Sequence, residues 1–105
     1  LDMEKLCPNI ERAFCLLGKR WNGLIIHVLL TGPKRFKDLT ESIPGISQKM
    51  LADRLKELED HFIVERKVYP ETPVRIEYVL TEKGRSLEIV MNEVGNWAKK
   101  YLSDS

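Results

Sequence analysis

Apolar residues recur at Leu51, Leu55 and Leu58, the i, i+4, i+7 spacing of a single buried helical stripe. At about 100° per residue, Lys49, Ala52, Asp53 and Lys56 fall on the outward side of the same helix. Ser47 precedes the stripe, and its hydroxyl can accept a hydrogen bond from a free N–H in the first turn. Upstream, Phe36 to Ile43 reads as another short amphipathic helix, and Pro44-Gly45 between the two is a turn signal. Two short helices joined by a tight turn, the second presenting polar groups, form a helix-turn-helix pattern. Such a unit sets its second helix in a DNA major groove.

Asn9 is expected to cap a first helix over Ile10 to Gly18, with Ile10, Ala13, Phe14 and Leu17 on one face. A second helix, Trp21 to Leu30, is apolar nearly all round and belongs at the centre of a core, which makes His27 a buried, hydrogen-bonded structural residue. Thr31-Gly32-Pro33 stops it, and Lys34-Arg35-Phe36 can form a very short strand. Beyond His61 the period changes. Phe62 to Tyr69 and Val74 to Leu80 are rich in β-branched and aromatic residues, and Val74, Ile76, Tyr78 and Leu80 alternate with Arg75, Glu77 and Val79. With Pro70-Glu71-Thr72-Pro73 as the loop, this is a β-hairpin directly behind the helix-turn-helix. Its position is that of a wing, whose tip, flanked by Lys67 and Arg75, can lie along phosphates or enter a minor groove.

Thr81 caps a last long helix, about Glu82 to Leu102, whose apolar positions cover more than one stripe. One face covers the domain. The rest, with Cys15 and Leu16 on the first helix, calls for a second copy, and the expected assembly is a homodimer through the first and last helices. The alternative is a terminal helix wrapped on its own core. The expected class is therefore α+β: a winged helix-turn-helix of about five helices with a two- to three-stranded hairpin wing. Its parts are an N-terminal arm at 1–8, core and dimer helices at 9–31, the helix-turn-helix at 36–61, the wing at 62–80 and a dimerisation helix at 81–105, all one domain.

Composition changes this picture little. Of the 105 residues, 43% are hydrophobic and 31% charged, an ordinary soluble domain, and the net charge of +1 does not announce a nucleic-acid partner. The distribution says more: Pro33 to Lys56 holds six basic and three acidic residues, followed at once by Glu57, Glu59 and Asp60. A local basic face can bind phosphate on a near-neutral protein. The longest apolar run, Leu24 to Leu30, is interrupted by His27 and falls far short of the ~20 residues that span a bilayer. Met3 reads as the native start, no secretory signal is visible, and two cysteines then point to a reducing, cytoplasmic setting. No Cys/His spacing fits zinc. An enzyme is the least supported class, since there is no Ser/His/Asp set, no paired carboxylates in a plausible cleft and no phosphate loop. No cofactor is expected.

For a DNA partner, the first turn of the second helix of the helix-turn-helix carries the candidates. Ser47 can cap and touch phosphate, Gln48 can pair with an adenine edge, and Lys49 can reach guanine acceptors or phosphate. Lys34 and Arg35 suit backbone contacts, which position without reading sequence. Arg75 is the wing candidate. Arg54, at the edge of the stripe, can touch DNA or pair with Glu57 or Asp38. For each of these the competing reading is a solvated surface charge. Trp21 and Trp97 read as packing residues rather than stacking platforms. His61 reads as a surface residue at a helix end.

The assembled motifs Cys7-Pro8, Leu17-Gly18-Lys19-Arg20-Trp21, Gly32-Pro33-Lys34-Arg35-Phe36, Ile46-Ser47-Gln48-Lys49-Met50-Leu51, Leu55-Lys56-Glu57-Leu58-Glu59 and Tyr78-Val79-Leu80-Thr81-Glu82-Lys83-Gly84 resemble the HxlR family of bacterial winged-helix regulators. The likeness runs through nearly the whole chain in order. Phe14 to Leu30 and the Pro70 to Val74 wing look most like that family's quinone- and electrophile-sensing repressors. The resemblance implies a dimeric transcription factor, usually a repressor, on a palindromic operator, with two recognition helices in major grooves about 34 Å apart. It also singles out Cys7. The following helix N-terminus and nearby Lys5 could favour its thiolate, the species that attacks a quinone or peroxide or enters a disulfide. A covalent quinone adduct at Cys7, close to the dimer seam, would move one subunit against the other and change the spacing of the recognition helices. Cys15, off the apolar stripe, reads as a small apolar contact in the core or the seam, and its pairing with the other subunit's Cys7 stays open. Two other readings stand: a regulator answering a non-covalent metabolite, with Cys7 incidental, and a winged-helix protein-docking module. One departure is Phe62, where many members have Gly. A Phe there takes the left-handed conformation only at a cost, so the helix before it is expected to end differently and tilt the wing.

Overall fold

The chain is described over residues 7–103 by a computed structural model. Its order is α1 (Pro8–Leu17), α2 (Asn22–Leu29), α3 (Phe36–Ser42), α4 (Gln48–Asp60), β1 (Val64–Tyr69), β2 (Arg75–Leu80), the single turn α5 (Glu82–Arg85) and α6 (Glu88–Tyr101). Helix α2 contributes Ile25, Ile26 and Leu29 to one apolar cluster. Leu39 and Ile43 join it from α3 and its end, Leu51, Leu55 and Leu58 from α4, and Ile63, Val64, Tyr78 and Leu80 from the hairpin. The spacing that identified the α4 stripe is thus the spacing of three buried leucines. β1 and β2 pair antiparallel from Val64 opposite Leu80 to Tyr69 opposite Arg75. Lys34 adds a one-residue third strand, exchanging backbone hydrogen bonds of 3.0 and 2.7 Å with Tyr78. This contact ties the wing to the entry of α3. The architecture is a winged helix-turn-helix.

Several local expectations are corrected. The arm does not extend to Pro8. That residue opens α1 with Cys7 as its cap, and Asn9 lies inside the helix. Proline suits the first helical position because its missing N–H would be unpaired there in any case. Met3 and Lys5 lie outside the described residues. His27 is exposed rather than buried, because α2 turns only Asn22, Ile25, Ile26 and Leu29 inward and leaves Leu24 and His27 on its open side. Cys15 is exposed too, so it is no part of this chain's own core. Trp97, expected to pack, is 56% exposed and meets only Tyr101 among the rings near it, at 5.8 Å between centroids.

The expected single C-terminal helix is two. Thr81 does cap its start, accepting from the Gly84 N–H at 3.1 Å. Gly84 then lies so close to the Ile63 carbonyl that no side chain fits. Ser86 donates its hydroxyl to the Lys83 carbonyl at 2.5 Å, and the Leu87 N–H turns back to Gly84 O at 3.1 Å. Glycine and a serine that hydrogen-bonds its own backbone are both weak helix formers, and the chain changes direction between them. The break sends α6 back along α2, where Leu87 and Met91 pack against the cluster.

Phe62 departs from expectation in the opposite sense. It adopts the left-handed conformation, at φ 59°, that glycine would take. Its N–H bonds to Glu59 O and that of Ile63 to Leu58 O, both at 2.9 Å, which is the two-bond Schellman ending of a helix. Leu58 and Ile63, the apolar pair of that motif, are both buried. The side chain of Phe62 itself is 73% exposed, so its burial offsets little of the backbone strain. Left-handed strain in a non-glycine residue costs about 1–2 kcal/mol, and a glycine returns part of that as extra freedom when unfolded. Phe62→Gly should therefore raise stability by about 0.5–1 kcal/mol, seen as a higher urea midpoint at unchanged slope.

Candidate nucleic-acid interface and sensor cysteine

Helix α4 presents its first turn to solvent because Gly45, at φ 89°, lets the chain reverse after α3 and because Ser47 caps the new helix, accepting from Met50 N–H at 3.0 Å. The Ser47 hydroxyl is therefore already engaged as a cap. Gln48 and Lys49 are exposed beside it. Lys49 holds Asp53 at 3.2 Å with 88% of its side chain in solvent. An exposed pair of this kind is worth little, so its ammonium can be redirected to a stronger anion at small cost. Lys34 is half-buried, fixed by its backbone bridge to Tyr78. Arg35 precedes α3, and its own N–H donates to Asp38 Oδ2 at 3.0 Å. The two cations thus sit where the wing meets the helix-turn-helix.

The remaining two arginines are more constrained. Arg75 donates from Nε and Nη2 to Glu71 and from Nη1 to Glu77, at 2.9 Å and 2.8 Å for the shorter two contacts, and lies 3.8 Å from the centroid of the Tyr69 ring. These contacts raise its already high pKa further, led by the bonds to Glu71 and Glu77. The same bond from Arg75 lowers the pKa of Glu71, with Arg35 adding to it. Arg75 is therefore a clamp across the wing tip. Three of its five N–H donors are engaged and two remain for a phosphate. Arg54 is mostly covered, donates to the Arg20 carbonyl at 3.2 Å and pairs with Glu57 at 3.8 Å. Of the partners expected for Arg54, Glu57 is realised.

Cys7 and Cys15 are both free and exposed. Cys7 caps α1, with its carbonyl accepting from Glu11 N–H at 3.0 Å. At the opposite end of α1 lies an apolar cleft of about 510 Å³ between α1, α2 and α6, walled by Phe14, Leu17, Trp21, Leu24, Met91 and Val94, with Lys19 and His27 as its polar members. Among the described residues no group of three His, Cys, Asp or Glu could hold a metal ion, and no helix is long and apolar enough to cross a membrane.

Sequence reasoning missed one cluster altogether. Asn22, the one polar residue on the buried side of α2, is fully buried. Its amide nitrogen donates to Leu16 O at 2.9 Å and to Glu57 Oε1 at 3.2 Å. Glu57 also receives Lys19 at 2.8 Å. Its signal was a polar side chain in an otherwise apolar helix.

Residues 16–105 match the family described as HxlR-like helix-turn-helix. The chain belongs to the HxlR family. Within it, the chain is 66% identical over 96 residues to the HTH-type transcriptional regulator YodB of Bacillus subtilis, covering 91% of this chain and 86% of that protein. The structure of reduced YodB superposes with a TM-score of 0.83 at 62% identity, over 96% of this chain and 99% of the other. Quinone-bound YodB gives 0.78 at 61% identity, over 90% and 100%. The oxidised form of the redox regulator HypR gives 0.86 at 36% identity, over 94% and 100%. Family membership makes the helix-turn-helix a transcriptional-regulator unit, and α4 is its second helix.

Glu57 gives the region a pH dependence. Its pKa is lowered, first by the hydrogen bond from Lys19, then by Asn22 and the charges of Lys19 and Arg54, against the opposing effect of burial. A carboxylate whose folded pKa lies below its unfolded value stabilises the fold above the unfolded value, about 4.3 for Glu, and loses that contribution as pH falls through the folded one. Glu57→Gln should therefore be less stable than the parent at pH 6 and 7, and the gap in urea midpoint should close as the pH is taken down toward 3. A gap independent of pH would assign the loss to packing.

Proposed function

We propose that this chain is a quinone- and electrophile-responsive transcriptional repressor, acting as a homodimer on a palindromic operator. The observation that carries this reading is an exposed thiol, Cys7, at the head of α1, in a chain so similar to YodB, whose reduced, diamide-treated and quinone-bound forms are known structures. The dimer is supported by surface that a single chain leaves uncovered. Ile10 and Phe14 on α1 and Ile89, Val94, Trp97 and Tyr101 along α6 are all exposed. Apolar patches of this extent mark association.

The chemistry balances without a further reagent. The Cys7 thiolate adds to a ring carbon of the quinone and forms one S–C bond. The ring takes up a proton and rearomatises, so that the quinone ends as a thioether-substituted hydroquinone. Cys7 contributes the sulfur, and no resident cofactor takes part. The adduct at the start of α1 biases the dimer toward an arrangement in which the two α4 helices no longer match successive major grooves. On DNA, Gln48 and Lys49 read base edges, Ser47, Lys34 and Arg35 hold phosphates, and Arg75 brings its two spare donors to the backbone beside the wing. Arg54 is the weakest member of that set, since its donors serve Arg20 and Glu57.

Two outcomes test this. Lys49→Ala should weaken operator binding by about 1–3 kcal/mol in a gel shift if the lysine makes a base contact, and unchanged binding removes it from the interface. Cys7→Ser should bind operator like the parent, yet stay bound after brief quinone treatment that releases the parent. Mass spectrometry should show one quinone added per parent chain and none on the variant. Release of the variant would acquit Cys7 and favour a non-covalent effector.

A further inference from the structure

The corner between α1 and α2, residues 18–21, grips the helix-turn-helix at three separate places. Lys19 reaches Glu57 on α4 at 2.8 Å. The carbonyl of Arg20 accepts from Arg54, one turn earlier on α4, at 3.2 Å. The ring of Trp21 packs against Gly45, within 3.6 Å of where a side chain would begin, in the turn that starts the recognition helix. Immediately after the corner, Asn22 ties the last turn of α1, through Leu16 O, to Glu57 with the two hydrogens of one nitrogen. Its oxygen is buried and meets no partner among the described residues. A leucine at this position would avoid that cost, so the donors of Asn22 are what the site uses. Trp21 is held in the left-handed region at φ 81°, a strained conformation for a bulky residue, with Arg20 stacked 4.5 Å from its ring centroid. Helix α1 buries no residue fully, and its Leu16 and Leu17 pack half-buried against the core cluster.

From this geometry we infer that Glu57, held by Lys19 and Asn22, is a positioning residue for operator recognition: the joint sets the angle of α4 to α1 and carries any displacement of α1 to the recognition helix. Glu57 faces the corner and not the exposed first turn of α4, so it acts on DNA through the helix it holds. The inference rests on the DNA-binding function proposed above and extends it from the contacts to their alignment. It has an electrostatic signature opposite to the simplest expectation. Removing a carboxylate from a DNA-binding domain should strengthen binding to every duplex by reducing repulsion. Loosening the joint should weaken binding to the operator alone, where the angle matters.

The test uses the full chain and two duplexes, an operator selected by the parent from random DNA and a scrambled one, in fluorescence anisotropy at one salt concentration. For Glu57→Gln, folded by circular dichroism, the ratio of operator to scrambled affinity should fall roughly three- to tenfold, the scale on which coupling residues act. Operator affinity should itself drop despite the lost negative charge. If Glu57→Gln does not fold, Lys19→Met decides, because the ratio cancels its general loss of positive charge, and a fall of roughly threefold is expected. A folded variant that keeps the parent's ratio, or binds operator more tightly, overturns the inference and leaves the DNA-binding reading intact. A parent that prefers no duplex overturns both.

Discussion

Burial of one face of α4 against a fixed apolar centre is the constraint on which everything else depends. Leu51, Leu55 and Leu58 are removed from water together with Ile25 and Ile26 of α2 and Leu39 of α3. Each such side chain contributes about 1.5–3 kcal/mol by leaving water, so three along one stripe hold the helix's rotation about its own axis. Rotation by a single residue, about 100°, would bury Lys56 and Glu59, or Arg54 and Glu57, and expose the leucines. The direction in which Gln48 and Lys49 point is therefore decided by apolar residues buried on the opposite side of the helix. The same stripe leads into Ile63 and so into the wing, which means that helix and wing share one register.

This explains which parts were legible from the sequence. The α4 stripe, the Pro44-Gly45 turn, the Ser47 and Thr81 caps and the alternating β2 strand are each decided within a few residues, by periodicity or by one side chain bonding its own backbone. The elements misread are those decided at a distance. α2 looked apolar all round, yet Leu24 and His27 face outward, because which side is covered depends on where α1 and α6 lie. The C-terminal helix read as continuous because its break needs the Ile63 carbonyl against Gly84, a contact across twenty-one residues of chain. Phe62 was expected to resist a left-handed turn, but the buried Leu58 and Ile63 pair and two backbone hydrogen bonds impose it. Tertiary packing overrode a local preference of about 1–2 kcal/mol. The joint of Lys19, Asn22 and Glu57 was invisible for the same reason: its members are 35 and 38 positions apart.

The candidate site divides along a related line. Cations with only weak, exposed partners can exchange them for phosphate or a base edge, and Lys49 is of this kind. Cations with several well-made partners are part of the scaffold. Arg54 belongs with these, and Arg75 lies between, since its clamp on Glu71 and Glu77 also orders the tip from which two donors project. Under the proposed DNA-binding role, such a clamp would lower the entropy lost on docking the wing, and it lowers the local charge as well. The second effect weakens attraction to any duplex, so the clamp favours fit over general affinity. Part of the near-neutral total charge has this origin: the basic residues of the helix-turn-helix face and wing are set beside acidic ones that hold them in place.

A regulator of this size has little material with which to connect a sensor to a reader. The apolar cluster is a poor carrier of such a signal, because α1 reaches it through the half-buried Leu16 and Leu17 and buries no residue fully in it, and close packing resists the small rotations that a switch needs. Polar links differ. A carboxylate between an ammonium and an amide keeps its strength only over a narrow range of geometry, and it can be broken and remade without opening a cavity. In the proposed mechanism, placing such a link between the helix that carries Cys7 and α4, while leaving the leucine stripe untouched, would let the angle of the recognition helix change without loosening the fold. In the proposed dimer the exposed flanks of α1 and α6 fit the same logic, since a seam between two copies would amplify a small angle at each joint into a larger change in the separation of two distant helix ends.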